Sequence, residues 1–194
     1  RSSTHGNISD ADERKKMMET VRTGRVWKFG DHISTDFMMP GHRVLANPDL
    51  TVEEAAKFCM EANRPGWAED EVQPGDILVA GINFGCGSSR NGSQSLKALN
   101  IAVVLAESVS RIHLRNAVNS GLPTLVAPGI NDFVEEGQRL EVNIVTGEVK
   151  NLDTGATLQA EAWEEGTPPY EILMAGGLDA FMKTKLKERG RISA

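Results

Sequence analysis

The sequence predicts an α/β fold in which a parallel sheet with right-handed crossovers gives way to an antiparallel meander. Three observations predict it. First, the apolar runs Asp76 to Ile82, Ile101 to Ala106 and Thr124 to Ala127 are short and alternate with helical segments. That order implies parallel pairing. Second, Leu140 to Val145, Glu148 to Asn151 and Thr157 to Ala162 are short strand-like runs, separated by Thr146-Gly147 and Asp153-Thr154-Gly155 turns, the mark of a meander. Third, the chain has 194 residues, 40% of them apolar and 25% charged. Those values suit one globular domain with a real core.

The elements follow in chain order. Residues 1–23 read as an N-terminal arm, either mobile or docking a partner, and residues 24–194 as the domain. Ala11 to Val21 can form a short helix, but Asp12, Glu13, Arg14, Lys15 and Lys16 make it mostly solvated. Val26 to Phe29 is a short strand, and Ile33 to Pro40 is a loop of polar then large apolar residues. Thr51 starts a helix, because Thr51 with Glu54 fits a capping box. Val52, Ala55, Ala56, Cys59 and Met60 form one apolar stripe along it, and Asn63 to Gly66 end it. After the strand at 76–82 comes a glycine- and serine-rich loop, Asn83 to Gly92, then a helix from Ser93 to Leu99. Val109 to Ser120 is another helix, stopped by Gly121 with Pro123 beyond. Tyr170 to Ala175 and Leu178 to Leu186 are a terminal helix broken at Gly176-Gly177.

Composition excludes several function classes. A net charge of -6 gives no help toward phosphate backbones or anionic lipid, so nucleic-acid and membrane roles are disfavoured. No apolar run approaches the roughly 20 residues of a membrane-spanning helix. Arg1 to Gly24 has no apolar h-region, which argues against a secretory signal. Cys59 and Cys86 form no CxxC pair, which suits a reduced, cytoplasmic chain. Two cysteines cannot supply the roughly four thiolates of an iron–sulfur cluster, so any such cluster comes from elsewhere.

The loop at 83–92 is where chemistry can sit. It follows a strand and opens a helix, where unpaired N–H groups and the macrodipole favour an anion. Gly85 and Gly87 let a ligand approach the backbone. Arg90 adds a planar fork for a carboxylate, with the hydroxyls of Ser88 and Ser89 beside it. Named phosphate and nucleophile motifs fail here. Ser93 stands where a Walker A lysine belongs, Arg90 stands where GxGxxG needs its third glycine, and no serine is centred in GxSxG. Composition alone leaves two readings level, an anion cradle or a tight turn with a capping serine.

The run Gly81 to Arg90 (GINFGCGSSR) resembles the GxNFGCGSSR segment of the small subunits of 3-isopropylmalate dehydratase and homoaconitase. Gly24 to Gly41, with Thr35-Asp36-Phe37-Met38-Met39-Pro40-Gly41, resembles the family's opening strand and TD loop. Ala106 to Pro123 and Gly176-Gly177-Leu178 resemble two later family motifs, so the likeness runs over about residues 24–187. It implies the swivelling β/β/α fold of the aconitase C-terminal domain. It implies a hydro-lyase subunit of leucine biosynthesis, inactive alone, that dehydrates and rehydrates a C-substituted malate such as 3-isopropylmalate. A separate large subunit is implied to carry a 4Fe–4S cluster, whose iron acts as Lewis acid, while this chain binds no metal. By the same resemblance Ser88 is the base, Asp36 is an active-site aspartate, and Arg90, with Ser89 and Gly87, binds a substrate carboxylate. A serine hydroxyl becomes basic only beside amide dipoles, a cation and a metal.

The chain departs from the family in two places. Asn91-Gly92-Ser93 replaces the usual Glu-His-Ala, which puts the support behind the cradle in question. Pro40-Gly41-His42-Arg43-Val44-Leu45-Ala46 replaces PG-x-YLRT, so Leu45 holds the family's arginine position and Arg43 lies two residues earlier. Arg43, Val44 and Leu45 are therefore expected to meet the substrate's substituent, and a dialkylmalate or homocitrate is an alternative substrate. A non-catalytic binding or regulatory module, and RNA binding, are the rivals from other classes. His42 reads as a solvated loop residue, His113 as structural, and Cys86 as a packed thiol. Arg111, Arg115 and Asn116 are expected to tie their helix to neighbouring loops, and Trp27, Trp67 and Trp163 are too dispersed to stack a ligand.

Overall fold

The computed structural model describes residues 20–87 and 91–189. The strands are β1 (Val21–Lys28), β2 (Ile77–Ala80), β3 (Val103–Ala106), β4 (Thr124–Val126), β5 (Arg139–Asn143), β6 (Glu148–Asn151) and β7 (Thr157–Gln159). They form one seven-stranded sheet in the order β4-β3-β2-β1-β5-β6-β7. Strands β1 to β4 pair in parallel, and β1, β5, β6 and β7 pair antiparallel. The expected change from parallel sheet to meander is therefore real, and β1 is the strand that joins the two.

Val21, Arg22 and Thr23, expected in the arm, instead pair with Asn143, Val142 and Glu141. The cause is tertiary: a polar run becomes a strand when a partner strand accepts its backbone. The expected helix at Ala11 to Val21 otherwise lies outside the described residues. Gly24 sits inside β1 because a side chain there would overlap the Gly75 carbonyl.

Period-2 alternation sends neighbouring side chains to opposite faces. Trp27, Leu78, Ala80 and Val104 enter one core cluster, and Val26, Ile77, Val79 and Val103 enter the other. Both faces of the parallel half are thus covered, and each fully buried aliphatic side chain there contributes about 1.5–3 kcal/mol. Trp27 also donates from Nε1 to Asp76 Oδ2 at 2.7 Å, between the guanidinium groups of Arg25 and Arg64.

The helices are α1 (Thr35–Met38), α2 (Gly41–Ala46), α3 (Val52–Ala56), α4 (Gly92–Ala98), α5 (Arg111–Ser120), α6 (Ile130–Phe133), α7 (Pro168–Met174) and α8 (Leu178–Glu188). The capping box is present in full: Glu54 N–H donates to Thr51 Oγ1 and Thr51 N–H donates to Glu54 Oε2. The helix it starts is shorter than the stripe suggested, and Val52 is exposed while Ala55, Ala56, Cys59 and Met60 are buried. A π-helical turn, Trp67–Glu71, follows Gly66. Helix α5 ends on Gly121 with φ 70°, as the glycine implied. Lys97 Nζ donates to the carbonyls of Ser120 and Gly176, so the glycine pair before α8 is held against the end of α5.

Candidate functional site

The site forms where the parallel strands end, because the loops leaving β1, β2 and β3 meet there. Phe84 N–H donates to Ser108 O at 2.9 Å, and Ser110 N–H donates to Phe84 O at 2.9 Å. On the other side Gly85 N–H donates to Ile33 O at 2.8 Å and Thr35 N–H donates to Cys86 O at 2.9 Å. Loop 83–87 is thus pinned between 32–35 and 108–110 through backbone bonds. Side chains reinforce it: Ser108 Oγ accepts from Asn83 N–H at 2.8 Å, and Ser110 Oγ donates to Gly85 O at 2.6 Å.

Both loop glycines are required. Gly85 has φ 73° and a side chain there would overlap the His113 ring. Gly87 has φ 96° and a methyl there would stand 2.5 Å from Ser34 Oγ. The positive φ and the close neighbour each exclude other residues.

Ser88, Ser89 and Arg90 lie outside the described residues. The chain resumes at Asn91, the N-cap of α4, whose seven residues give a short helix and a modest dipole. The Asn91-Gly92-Ser93 departure has its own logic. Gly92 makes room for the Met38 side chain, which a methyl there would meet at 2.6 Å. Ser93 Oγ donates to Asn91 Oδ1 at 2.5 Å, Ser120 Oγ lies 3.1 Å from Ser93 Oγ, and Ser120 Oγ donates to Asn91 Oδ1 at 3.4 Å. A neutral network therefore fixes Asn91 to the end of α5.

Asp36 is exposed in the first turn of α1. Ser34 caps that helix by accepting from Asp36 N–H at 3.1 Å, and Ser34 is also the neighbour of Gly87. The structure thus brings Asp36 and Gly87 together through Ser34. Ile33 to Pro40 was expected to be a loop, and the S-T-D order was the unread N-cap signal for α1. Helix α2 likewise replaces an expected loop.

Arg43, Val44 and Leu45 lie on α2. Arg43 is engaged: Nε and Nη2 donate to Glu61 Oε1 and Oε2 at 3.1 and 3.0 Å, and its guanidinium stands 4.6 Å over the Phe58 ring. The hydrogen bond to Glu61, then the Glu61 charge, raises the Arg43 pKa above its ordinary value. His42 Nε2 lies 3.3 Å from the same carboxylate, so its solvated reading needs that contact added. Val44 is half-buried and Leu45 is 77% exposed.

His113 is structural, as read, but in an unusual way. It is buried, its ring meets Phe84 edge-on at 5.0 Å, and neither ring nitrogen has a hydrogen-bond partner among the described residues. Burial pushes its pKa down to about 4. The side chains of Arg111 and Arg115 are exposed and make no hydrogen bond or ion pair among the described residues. The expectation that they tie α5 to its neighbours is corrected: Ser110, the N-cap of α5, does that work.

Among the described residues no group of three or more His, Cys, Asp or Glu could hold a metal ion. Burial drives the Cys59 thiol pKa up, which keeps it protonated in the core. No helix among the described residues is long and apolar enough to cross a membrane.

Residues 38–129 match the family model described as the aconitase C-terminal domain. The isopropylmalate/citramalate isomerase small subunit of Methanocaldococcus jannaschii is 46% identical, over 88% of this chain and 99% of that protein. The 3-isopropylmalate dehydratase small subunit 1 of Methanopyrus kandleri is 48% identical over 86% of this chain and 95% of that protein. A crystal structure of a 3-isopropylmalate dehydratase chain from Methanocaldococcus jannaschii superposes with a TM-score of 0.80 at 32% identity, over 88% of this chain and 98% of that one.

Proposed function

We propose a mechanism from one premise: this chain belongs to the aconitase C-terminal domain family, among the small subunits of 3-isopropylmalate dehydratases. As a hydro-lyase small subunit it has a large-subunit partner. Its substrate is a C-substituted malate such as 3-isopropylmalate. Ser88 removes the proton from the carbon beside a carboxylate, and Arg90 grips that carboxylate with its planar fork. Gly87 and Ser89 help to bind the same carboxylate, Asp36 acts in the active site, and Arg43, Val44 and Leu45 meet the substituent.

The observation that carries this reading is the anchoring on both sides of residues 88–90. Gly87 abuts the Ser34 cap of the Asp36 helix, and Asn91 is tied to Ser93 and Ser120. The described residues that flank 88–90 are thus fixed from both sides, and preorganised surroundings lower the cost of positioning groups for proton transfer.

A 4Fe–4S cluster does not fit this chain, because Cys59 is a protonated core thiol and Cys86 stands alone. The large subunit would carry it, and when bound there it would supply Lewis acidity toward the hydroxyl that leaves. With α4 so short, a Ser88 alkoxide would need Arg90 and a cation supplied by the partner, so the isolated chain is expected to be inert. Both thiols are free, which suits a reduced, cytoplasmic setting.

The test is reconstitution with the large subunit. Ser88→Ala should lower turnover about 10²–10⁴-fold with an unchanged melting temperature, and Arg90→Lys should raise KM and lower kcat. Ordinary rates in both variants would remove the assignment.

A further inference from the structure

We infer that Glu61 is a specificity-determining residue, which by occupying Arg43 makes the substituent site accept alkyl groups and refuse carboxylate-ended ones. This rests on the proposal that α2 faces the substituent of a malate.

The argument starts from the donors of α2. A guanidinium fork recognises a carboxylate by two parallel hydrogen bonds, and Glu61 already takes both from Arg43, at 3.1 and 3.0 Å. The same carboxylate meets His42 Nε2 at 3.3 Å. One acid therefore occupies the Nε–Nη2 edge of the Arg43 guanidinium and meets the neighbouring imidazole, and the pair of Arg43 and Glu61 has no net charge. What α2 then presents is Leu45, bare to solvent two residues further on, beside the half-buried Val44.

Glu61 is also held in place. Met60 N–H donates to Phe37 O at 2.7 Å, which fixes the backbone beside Glu61 to the helix that carries Asp36. Phe58, three residues earlier, supports the Arg43 guanidinium from below. Ring, acid and anchor all come from the one turn after α3, so the clamp is built rather than a chance meeting of long side chains. A substituent ending in a carboxylate can take that edge only by displacing Glu61, and at the remaining donors it still meets the like charge of Glu61, whereas an alkyl substituent meets no such opposition.

The experiment compares kcat/KM of the reconstituted pair for 3-isopropylmalate and for 3-(2-carboxyethyl)malate. Glu61→Gln should raise the ratio of carboxyethyl to isopropyl turnover roughly tenfold, the scale of a bidentate contact freed from its competitor. Adding Arg43→Gln should return the ratio to the wild-type value. A ratio unmoved by Glu61→Gln, or a rise that survives in the double variant, overturns the inference while leaving the family reading intact. A wild-type pair that turns over neither malate removes the substrate reading and this inference with it.

Discussion

The two halves of the sheet share β1 and are otherwise built to different rules. In the parallel half every residue of β2 and β3 is buried, because helices and loops cover both faces. In the antiparallel half β6 alternates exposed and buried positions, and β5 begins the same way, because one face meets water. Parallel strands need long crossovers, and those crossovers bring loops 29–34, 81–87 and 107–110 together at one edge. Antiparallel strands need only turns, and the turns at 144–147 and 152–156 are short and lie away from the loops that meet at that edge. Chemistry therefore gathers where connections are long, and the meander braces the strand they hang from.

The largest effect should come from breaking a loop anchor in the parallel half. Gly85→Ala must displace the buried His113 ring and adopt φ 73°. It should cost about 3 kcal/mol in urea unfolding and lower turnover of the reconstituted pair more than about 100-fold. Wild-type values for both would mean that the two halves are equally tolerant.

The next effect is a pH dependence confined to the same half. His113 takes up a proton near 6.5 when unfolded and near about 4 when folded. Between those values the unfolded chain holds more protons. Stability is therefore full above pH 6.5 and falls as the pH drops towards 4, by at most about 3 kcal/mol. His113→Leu should flatten that part of the profile in urea melts at pH 7 and pH 4.5. A slope that persists in the variant would place the responsible group elsewhere.

The smallest effect belongs to the meander. Gly155 has φ 77° but nothing lies within 4 Å of a methyl placed there. Gly155→Ala should cost about 1 kcal/mol from backbone strain alone and leave turnover unchanged. A loss of activity would show that the turn reaches the site.

Local signals made much of this readable in the sequence. The strand and turn order gave the sheet's change of direction, Thr51 with Glu54 gave a capping box, and Gly121 gave a helix end. What failed depended on distant partners. Val21 to Thr23 look like linker until β5 pairs with them, and nothing local marks Glu61 as the acid that meets Arg43 eighteen residues earlier. The same holds for Ser34, whose capping signal was present but whose closeness to Gly87 appears only after folding. Asn91-Gly92-Ser93 read as a loss, because the replacement network runs to Ser120, far along the chain.

The position of β1 has a consequence for biosynthesis. It is the earliest strand of the sheet in the chain, yet it lies between β2 and β5. A nascent chain that has emerged as far as Val126 can assemble the four parallel strands while the other side of β1 still offers unpaired amides and carbonyls. Such an open edge invites pairing with a neighbouring polypeptide. It is sealed only when Arg139–Asn143 leave the ribosome and cover it. By covering that side of β1, the meander removes an edge through which newly made molecules could join one another.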